Sequence, residues 1–252
     1  MITNNRIKEL TALRDKSKAR KEAGMYIVEG PKMCEEAPVD MVVDTFVTHK
    51  CLESNRTWLD KRNYEVVEER VYEKLSDTKT PQGVMSVIRQ PKYSLDEMVK
   101  EGNLYVILED IQDPGNMGTI VRTAEGAGVA GIIMTKGCVD IFNPKTIRST
   151  MGSVYRVPFV YVDDIAEAIA KVKGAGISIY AAHLKGEQYY DEIKYERAAF
   201  LIGNEGNGLK DETAAMADTY IKIPMSGQVE SLNAAVATSV LMYEHSRQMR
   251  QK

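Results

Sequence analysis

Short apolar segments alternate with longer amphipathic segments along most of the chain. Apolar runs of a few residues bounded by turn residues are typical of buried strands, and apolar positions spaced by three or four residues are typical of helices. The pattern predicts strands at 25–30, 41–49, 64–69, 83–90, 104–111, 131–135, 157–162, 177–184, 197–204 and 218–225, and helices at 54–62, 114–128, 143–152, 163–176 and 231–252. Apolar strands that alternate with helices predict an α/β fold with a mostly parallel sheet covered by helices on both faces.

A polar stretch, RQPKYSLDEMVKEGN, divides the chain into two parts. It predicts a small α/β domain over residues 1–90, a linker over 91–103 and a larger domain over 104–252. In the larger domain, the unusual loops follow predicted strands, and their sequences are EDIQDPGN, AAHLKGE, GNEGNGL and PMSGQVESLN. Parallel sheets bind ligands beyond the carboxyl ends of their strands, so these loops form the predicted binding site.

Capping residues mark the ends of the predicted helices. Asn116 is the predicted N-cap of the first helix in the larger domain, and Gly128 is its predicted C-terminal stop. Asn143 precedes Pro144, an order that is typical of a helix start. Ser231 is the predicted N-cap of the last helix, because serine is a favoured residue at that position.

Composition is that of an ordinary globular protein, with 44% hydrophobic and 27% charged residues. No apolar run is long enough to span a membrane, and the first residues lack the apolar core of a signal peptide. The three cysteines, Cys34, Cys51 and Cys138, are far apart and odd in number, so we expect a reducing cytoplasm. Neither they nor the three histidines have the spacing of metal ligands, so no metal site is expected.

Charge is unevenly distributed along the chain. Residues 1–32 contain eight Lys or Arg and four acidic residues, a balance of +4 that leaves −7 for the rest of a chain whose net charge is −3. A basic segment on an acidic protein can contact the backbone of a nucleic acid. A solvated helix face accounts for the same charges, and charge alone favours that interpretation.

The segment LIGNEGNGLKDE, residues 201–212, contains three glycines and a carboxylate, Glu205. A P-loop needs Lys and then Ser or Thr after its second glycine, but Leu209 follows Gly208 here. The dinucleotide fingerprint G-x-G-x-x-G is absent as well. The glycines predict a backbone that approaches a ligand with little or no phosphate, or else a plain turn.

Two further motifs place polar side chains at the starts of helices. In PMSGQVESLNAA, Asn233 follows Ser231 by two residues and is not needed as a cap, which predicts a pair of ligand-binding side chains. In NMGTIVRTAEGAG, Arg122 lies among apolar and small residues, six positions after Asn116. A single arginine in a helix is usually a surface residue, so this pattern alone leaves the function of Arg122 open.

In this order and spacing, across residues 104–247, the three motifs resemble those of the SpoU (TrmH-type) RNA ribose 2′-O-methyltransferases of the SPOUT superfamily. Residues 1–90, with MYIVEG and TPQGVMSVI, are similar to the N-terminal domain of the family's ribosomal-RNA members, which looks like kink-turn-binding ribosomal proteins. The resemblance implies S-adenosylmethionine as cofactor, no metal, and a homodimer whose interface uses the first and last helices of the larger domain. It also implies a C-terminal trefoil knot, which general rules of chain topology would exclude.

The resemblance assigns roles to individual residues. Arg122 is the implied central catalytic residue, and we interpret it as an electrostatic anchor because a guanidinium stays protonated. The other implied catalytic residues are Asn116, Glu205, Ser231 and Asn233. The implied cofactor contacts are Gly203, Ile223 and Leu232 through backbone atoms, with Ala182, His183, Met225 and Asn233 nearby. The predicted RNA contacts are Arg14, Lys16, Lys18, Arg20, Lys21 and Arg148.

The implied reaction is methyl transfer to a ribose 2′-hydroxyl of a structured RNA, and 23S rRNA is the best candidate because the family's tRNA enzymes generally lack the extra domain. Other hypotheses are a tRNA 2′-O-methyltransferase, a non-catalytic RNA-binding relative and an NAD oxidoreductase. The complete set of catalytic side chains argues against the non-catalytic relative. The absent dinucleotide fingerprint argues against the oxidoreductase.

Overall fold

The computed structural model describes residues 2–251, which form two compact units. One unit contains the described residues up to Lys92 together with Asp140–Tyr155, and the other contains Tyr93–Val139 and the described residues from Arg156 onwards. The strands are β1 (Met25–Glu29), β2 (Val42–Thr48), β3 (Glu65–Val67), β4 (Val84–Arg89), β5 (Leu104–Leu108), β6 (Gly131–Thr135), β7 (Phe159–Val162), β8 (Ser178–Ala182), β9 (Gln188–Tyr189), β10 (Ala198–Ile202) and β11 (Thr219–Lys222). The α-helices are α1 (Asn4–Asp15), α2 (Ser17–Ala23), α3 (Pro31–Glu36), α4 (His49–Leu59), α5 (Glu69–Leu75), α6 (Leu95–Met98), α7 (Pro114–Ala127), α8 (Pro144–Thr150), α9 (Ile165–Gly174), α10 (Asp211–Ala214) and α11 (Ala234–Met249).

The first unit is built on a four-stranded sheet with the strand order β1-β4-β2-β3. β4 pairs antiparallel with β1 and β2, whereas β3 pairs parallel with β2. Leu10 and Leu13 of α1 and Tyr72 of α5 pack against Phe46 and Val87 of the sheet. All four predicted strands of this region are confirmed, while α1, α2, α3 and α5 were not among the predicted helices.

Residues 140–155 belong to the first unit, although the sequence places them after β6 of the second. Phe142 stacks on Tyr26 with ring centroids 4.4 Å apart, and the Tyr155 hydroxyl donates a hydrogen bond to the Met33 carbonyl at 2.8 Å. The structural units therefore differ from the predicted division at residues 1–90 and 104–252. A fragment that begins near residue 104 would lose the packing partners of these aromatic side chains.

The predicted linker, residues 91–103, contains the short helix α6. Met98 and Val99 are buried in the core of the second unit, and the Tyr105 hydroxyl donates a hydrogen bond to the Met98 carbonyl at 3.1 Å. The end of this segment is therefore part of the second unit rather than a free connection.

The second unit is built on a seven-stranded sheet with the strand order β7-β6-β5-β10-β8-β11-β9. Every neighbouring pair is parallel, which confirms the predicted parallel sheet. Tyr105 and Ile107 of β5 pack in one core with α6 and α9, and the alternate residues Leu104, Val106 and Leu108 are equally buried on the opposite face. Helix α11 packs against both α7 and β10. The predicted strands of this region are all present, and only β9 was not predicted.

Two predicted helix caps are wrong. The N-cap of α7 is Asp113, whose Oδ1 accepts a hydrogen bond from the Asn116 N–H at 2.8 Å, so Asn116 lies inside the first turn. The N-cap of α11 is Asn233 rather than Ser231, because the Asn233 Oδ1 accepts hydrogen bonds from the first N–H groups of the helix. The caps at Gly128 and Asn143 are confirmed.

Three further features of the described residues bear on earlier expectations. None of their helices is both long and apolar enough to cross a membrane. All three cysteines are buried free thiols. Within residues 2–251, no three His, Cys, Asp or Glu side chains form a group that could hold a metal ion.

Candidate active site

Three loops converge at the carboxyl edge of the seven-stranded sheet, because β10, β8 and β11 are neighbours in it. They are residues 183–187 after β8, 203–210 after β10 and 223–233 after β11. The loops enclose a cavity of about 520 Å³, a volume typical of ligand pockets. The structure brings together at this cavity the predicted residues Ala182, His183, Gly203, Glu205, Ile223, Met225, Ser231 and Leu232.

The glycine-rich loop folds back on itself. The backbone groups of Asn204 and Gly208 exchange two hydrogen bonds of 3.0 and 2.9 Å, and the Asn204 Oδ1 accepts hydrogen bonds from the N–H groups of Gly206 and Asn207. A Cβ on Gly203 would lie 2.2 Å from the Gly208 carbonyl carbon and the Leu209 nitrogen. Gly203 is therefore required for a close backbone crossing, and not only for a flexible turn.

Backbone groups at the cavity are available to a ligand. Gly203, Ile223, Met225 and Leu232 make no backbone hydrogen bond to any residue in the described part of the chain. Much of the remaining lining is apolar or small, including Ile202, Pro224, Ala234 and Ala237. Apolar walls with a few polar groups are typical of small-molecule sites. The cavity therefore fits the adenosyl group of S-adenosylmethionine.

Glu205 connects the glycine-rich loop to the start of α7. Its Oε2 accepts a hydrogen bond from the Gln112 N–H at 3.1 Å, and its Oε1 accepts from the Asp113 N–H at 3.0 Å and from the Asn116 Nδ2 at 3.1 Å. Partial burial raises the pKa of Glu205, but the hydrogen bonds from Asn116 and from the backbone outweigh it and hold the pKa below its ordinary value. The carboxylate therefore braces two loops in its ionised form.

Asn116 and Asn233 link the starts of α7 and α11. The Asn233 Nδ2 donates a hydrogen bond to the Asn116 Oδ1 at 3.0 Å. The Asn233 Oδ1 accepts hydrogen bonds from the Ala235 and Val236 N–H groups, so both ends of this amide are fixed. Three of the predicted catalytic residues, Asn116, Glu205 and Asn233, thus form one hydrogen-bonded chain.

Sequence reasoning missed a second connection between the same two loops. The buried Glu109, directly after β5, accepts hydrogen bonds from the Lys210 N–H at 2.9 Å and from the Thr213 Oγ1 at 2.6 Å. The Lys210 Nζ lies 3.0 Å from the Asp110 Oδ2. Two acidic residues, Glu109 and Asp110, directly follow the apolar strand β5. A buried carboxylate needs hydrogen-bond partners, so this pair was the sequence signal that could have predicted the connection.

Arg122 lies apart from the other predicted catalytic residues. Six helical positions place it about 9 Å along α7 from Asn116. Its side chain is exposed, it does not line the cavity, and it has no hydrogen bond or ion pair with any other described residue. The guanidinium is therefore available to a molecule outside this unit.

One predicted RNA contact has another role in the first unit. Arg20 is only 3% exposed, and its Nε donates a hydrogen bond to the Asp140 Oδ2 at 2.8 Å. Its Nη1 donates to the carbonyls of Leu13 and Arg14. Because this charge is buried and its donors are paired within the first unit, Arg20 is a structural residue and has no surface to offer RNA.

The remaining predicted RNA contacts differ in their exposure and in the hydrogen bonds and ion pairs that the fold already gives them. Arg14 donates hydrogen bonds to the carbonyls of residues 74–76, and Arg148 pairs with Asp77 at 2.7 Å, so both hold the loop after α5. Lys16, Lys18 and Lys21 are exposed. These three lysines are the predicted contacts that the fold leaves most accessible.

Comparison with known proteins shows the family of the chain. Residues 103–243 match the SpoU rRNA Methylase family, and residues 4–86 match the MRM3-like substrate binding domain. The chain is 30% identical over 243 residues to the 23S rRNA (guanosine(2553)-2′-O)-methyltransferase RlmP of Bacillus subtilis, covering 95% of each protein. It is 31% identical to the structure of an AdoMet-bound rRNA methyltransferase from Sinorhizobium meliloti, with a TM-score of 0.87 over 99% of this chain and 97% of that one.

A tRNA enzyme of the same fold matches less of the chain. The TrmH/SpoU tRNA modifying enzyme of A. aeolicus is 29% identical, with a TM-score of 0.54 over 62% of this chain and 81% of that one. The family match and these relatives identify the chain as an S-adenosylmethionine-dependent RNA methyltransferase. The chain belongs to the SpoU rRNA methylase family.

Proposed function

We propose that this enzyme methylates a ribose 2′-hydroxyl of 23S rRNA. The observation that carries the proposal is the extent of the match: the relative that acts on 23S rRNA aligns over 95% of both proteins, whereas the tRNA enzyme covers 62% of this chain. The residues that match a substrate-binding domain, 4–86, support a structured RNA as the substrate. We also propose that the enzyme acts in the cytoplasm, because its three buried cysteines are free thiols, as a reducing compartment favours.

The chain's own side chains account for how such a hydroxyl could be activated. S-adenosylmethionine supplies an electrophilic methyl group. Arg122, which has no partner among the described residues, binds a backbone phosphate of the RNA beside the target ribose and stabilises the negative charge that develops on the 2′-oxygen. Asn116 and Asn233 hold the starts of α7 and α11 in register, so that the cofactor loops and the arginine keep a fixed relation. Ser231, which lines the cavity without a hydrogen-bond partner among the described residues, contacts substrate or cofactor.

The substrate prediction is tested by incubating the full-length protein with methyl-labelled cofactor and with separated 23S rRNA, 16S rRNA and tRNA. We expect label in 23S rRNA, recovered after nuclease digestion as a 2′-O-methylated nucleoside. Because phosphate contacts release counterions, binding through about four phosphates should weaken roughly 10²-fold between about 50 and 200 mM salt. Label in tRNA alone, or on a base, would contradict the proposal.

A charge-reversal variant locates the RNA-binding surface within this test. Changing Lys16, Lys18 and Lys21 together to Glu should raise the KM for RNA about tenfold or more and reduce the salt dependence. Affinity for S-adenosylhomocysteine should stay unchanged in the same variant, which serves as the control for folding. An unchanged KM for RNA would show that these lysines belong to a solvated helix face.

We also propose that the enzyme is a homodimer that associates through α7 and α11. Val236 and Tyr243 on α11 are 48% and 46% exposed, and their spacing of seven residues puts them on one helix face. Gly126 of α7 lies under the Tyr243 hydroxyl, so the exposed face continues onto α7. Leu241 of the same helix does not contribute to this face, because it is fully buried.

Sedimentation of the full-length protein at micromolar concentration should give about twice the monomer mass of 28.2 kDa. Val236→Glu should produce monomers, because it places a charge in an apolar interface. Val39→Glu is the matched control, since Val39 is an even more exposed valine, at 65%, in the first unit. A wild-type monomer under these conditions would refute the proposal.

A further inference from the structure

The cavity lining carries charged side chains beside its apolar and backbone groups. Its lining includes three residues with formal charges, Glu205, Lys222 and Glu230. Both oxygens of Glu205 are already engaged by donors at the start of α7. Lys222 and Glu230 therefore provide the charges at the cavity that are still available to a ligand.

Lys222 is oriented but not neutralised. It is the last residue of β11 and lies opposite Tyr189 of β9, and its Nζ sits over the Tyr189 ring, 4.9 Å from the centroid. A cation over an aromatic face is held in place without losing its charge. No carboxylate of the described residues forms an ion pair with this ammonium group.

Glu230 carries the opposite charge on the neighbouring loop. It lies at the cavity, it is exposed, and none of the described residues donates a hydrogen bond to its side chain. One free cation and one free anion at the same cavity are complementary to a ligand that carries both charges. The amino-acid tail of S-adenosylmethionine is such a group, with a carboxylate and an ammonium on one carbon atom.

We propose that Lys222 and Glu230 form a subsite for the zwitterionic tail of the cofactor, in which Lys222 binds the carboxylate and Glu230 binds the ammonium. The inference rests on cofactor binding at the loop cavity. It implies that the apolar and backbone part of the site selects the adenosyl group, while this charged pair selects ligands with an intact amino acid. Tyr189 is a positioning residue, because its ring holds the Lys222 ammonium at the cavity.

The test compares two ligands that share the adenosyl group, S-adenosylhomocysteine with its tail and 5′-methylthioadenosine without it. In calorimetry with the full-length protein, Lys222→Gln should weaken S-adenosylhomocysteine about tenfold, since a charge-assisted contact in a partly solvated site is lost. Glu230→Gln should have an effect of similar size. Neither variant should change the affinity for 5′-methylthioadenosine by more than about twofold.

Two matched substitutions complete the design. Lys185→Gln and Glu187→Gln change the same charges on the neighbouring loop after β8, and their side chains do not line the cavity, so affinity for both ligands should be unchanged. Tyr189→Leu should weaken S-adenosylhomocysteine more than 5′-methylthioadenosine, since Tyr189 also lines the cavity. Tyr189→Phe should behave like the wild type because it keeps the ring.

The possible outcomes distinguish a failure of the tail subsite from a failure of the proposed cofactor site. If the wild type binds S-adenosylhomocysteine and Lys222→Gln and Glu230→Gln bind it equally well, the tail subsite is wrong while the cofactor site stands. An equal loss of affinity for both ligands would also overturn the subsite, because the charges would then act on the adenosyl group or on the fold. If the wild type binds neither ligand, the cofactor cavity itself is misassigned.

Discussion

Arg122→Ala should lower the rate of methyl transfer to RNA by about 10²- to 10³-fold, the usual cost of removing one electrostatic stabiliser of a transition state. Affinity for S-adenosylhomocysteine should stay within about twofold of the wild type. The physical reason is the position of Arg122: it is exposed on α7, it has no partner among the described residues, and it does not line the cofactor cavity. Single-turnover kinetics and calorimetry on the same preparations measure the two quantities.

Two further arginine variants sharpen this result. Arg122→Lys keeps the charge but loses the planar fork that binds a phosphate through two hydrogen bonds, so it should remain at least tenfold impaired. Arg250→Ala removes an exposed arginine at the end of α11 and should leave both quantities unchanged. A large loss of cofactor affinity in folded Arg122→Ala would mean that the residue serves the cavity rather than the RNA.

The strands were predictable because each is a short apolar run with turn residues at its ends. Local sequence patterns did not predict the helices α3 and α5. These helices have only six and seven residues, and helices this short are stable only through tertiary packing. Local patterns also did not predict that residues 140–155 belong to the first unit. Their sequence follows the alternation of the larger domain, but Phe142 and Tyr155 pack on Tyr26 and Met33, more than 100 residues earlier in the chain.

Arg20 shows why charge patterns do not distinguish a binding residue from a structural one. Its neighbours Lys18 and Lys21 are exposed, and nothing in the local sequence separates the three. The partner that buries Arg20, Asp140, lies 120 residues later. Only the tertiary structure brings Arg20 and Asp140 together. The positive segment of the sequence therefore contains both surface cations and one buried, paired cation.

The location of the site was predictable, and its internal connections were not. Loops after parallel strands meet at one edge of the sheet, which brought six of the seven predicted cofactor contacts, all except Asn233, to a single cavity. The hydrogen bonds of Glu205 to Gln112 and Asp113 depend on β5 and β10 being neighbours. That pairing joins residues more than 90 positions apart, and no local pattern specifies it.

The trefoil knot implied by the family resemblance stays a prediction. A Cβ on Gly186 would lie 2.7 Å from the Ile221 carbonyl carbon, so the loop after β8 passes close to β11. The close contact of Gly203 is with residues only five and six positions later, so it reflects a tight loop and not threading of the chain.

Gly203→Ala is expected to abolish cofactor binding, raising the Kd for S-adenosylhomocysteine by about 10²-fold or more. The added methyl group would lie 2.2 Å from the Gly208 carbonyl carbon and the Leu209 nitrogen. These are backbone atoms, and the hydrogen bonds between Asn204 and Gly208 hold them in place. The loop can accept the methyl group only by opening, and opening separates the backbone groups that face the cavity. Overpacking of this kind also typically costs about 1–3 kcal/mol of folding free energy.

Gly227→Ala is the matched control for the loss of a glycine at the same edge of the sheet. A Cβ at Gly227 would have no atom within 4 Å, so this variant should bind S-adenosylhomocysteine within about twofold of the wild type. Circular dichroism and thermal unfolding should show that Gly203→Ala keeps its secondary structure, which places the loss in the loop. Wild-type affinity in Gly203→Ala would show that the loop yields without changing the cavity, and the close crossing would then have no part in cofactor recognition.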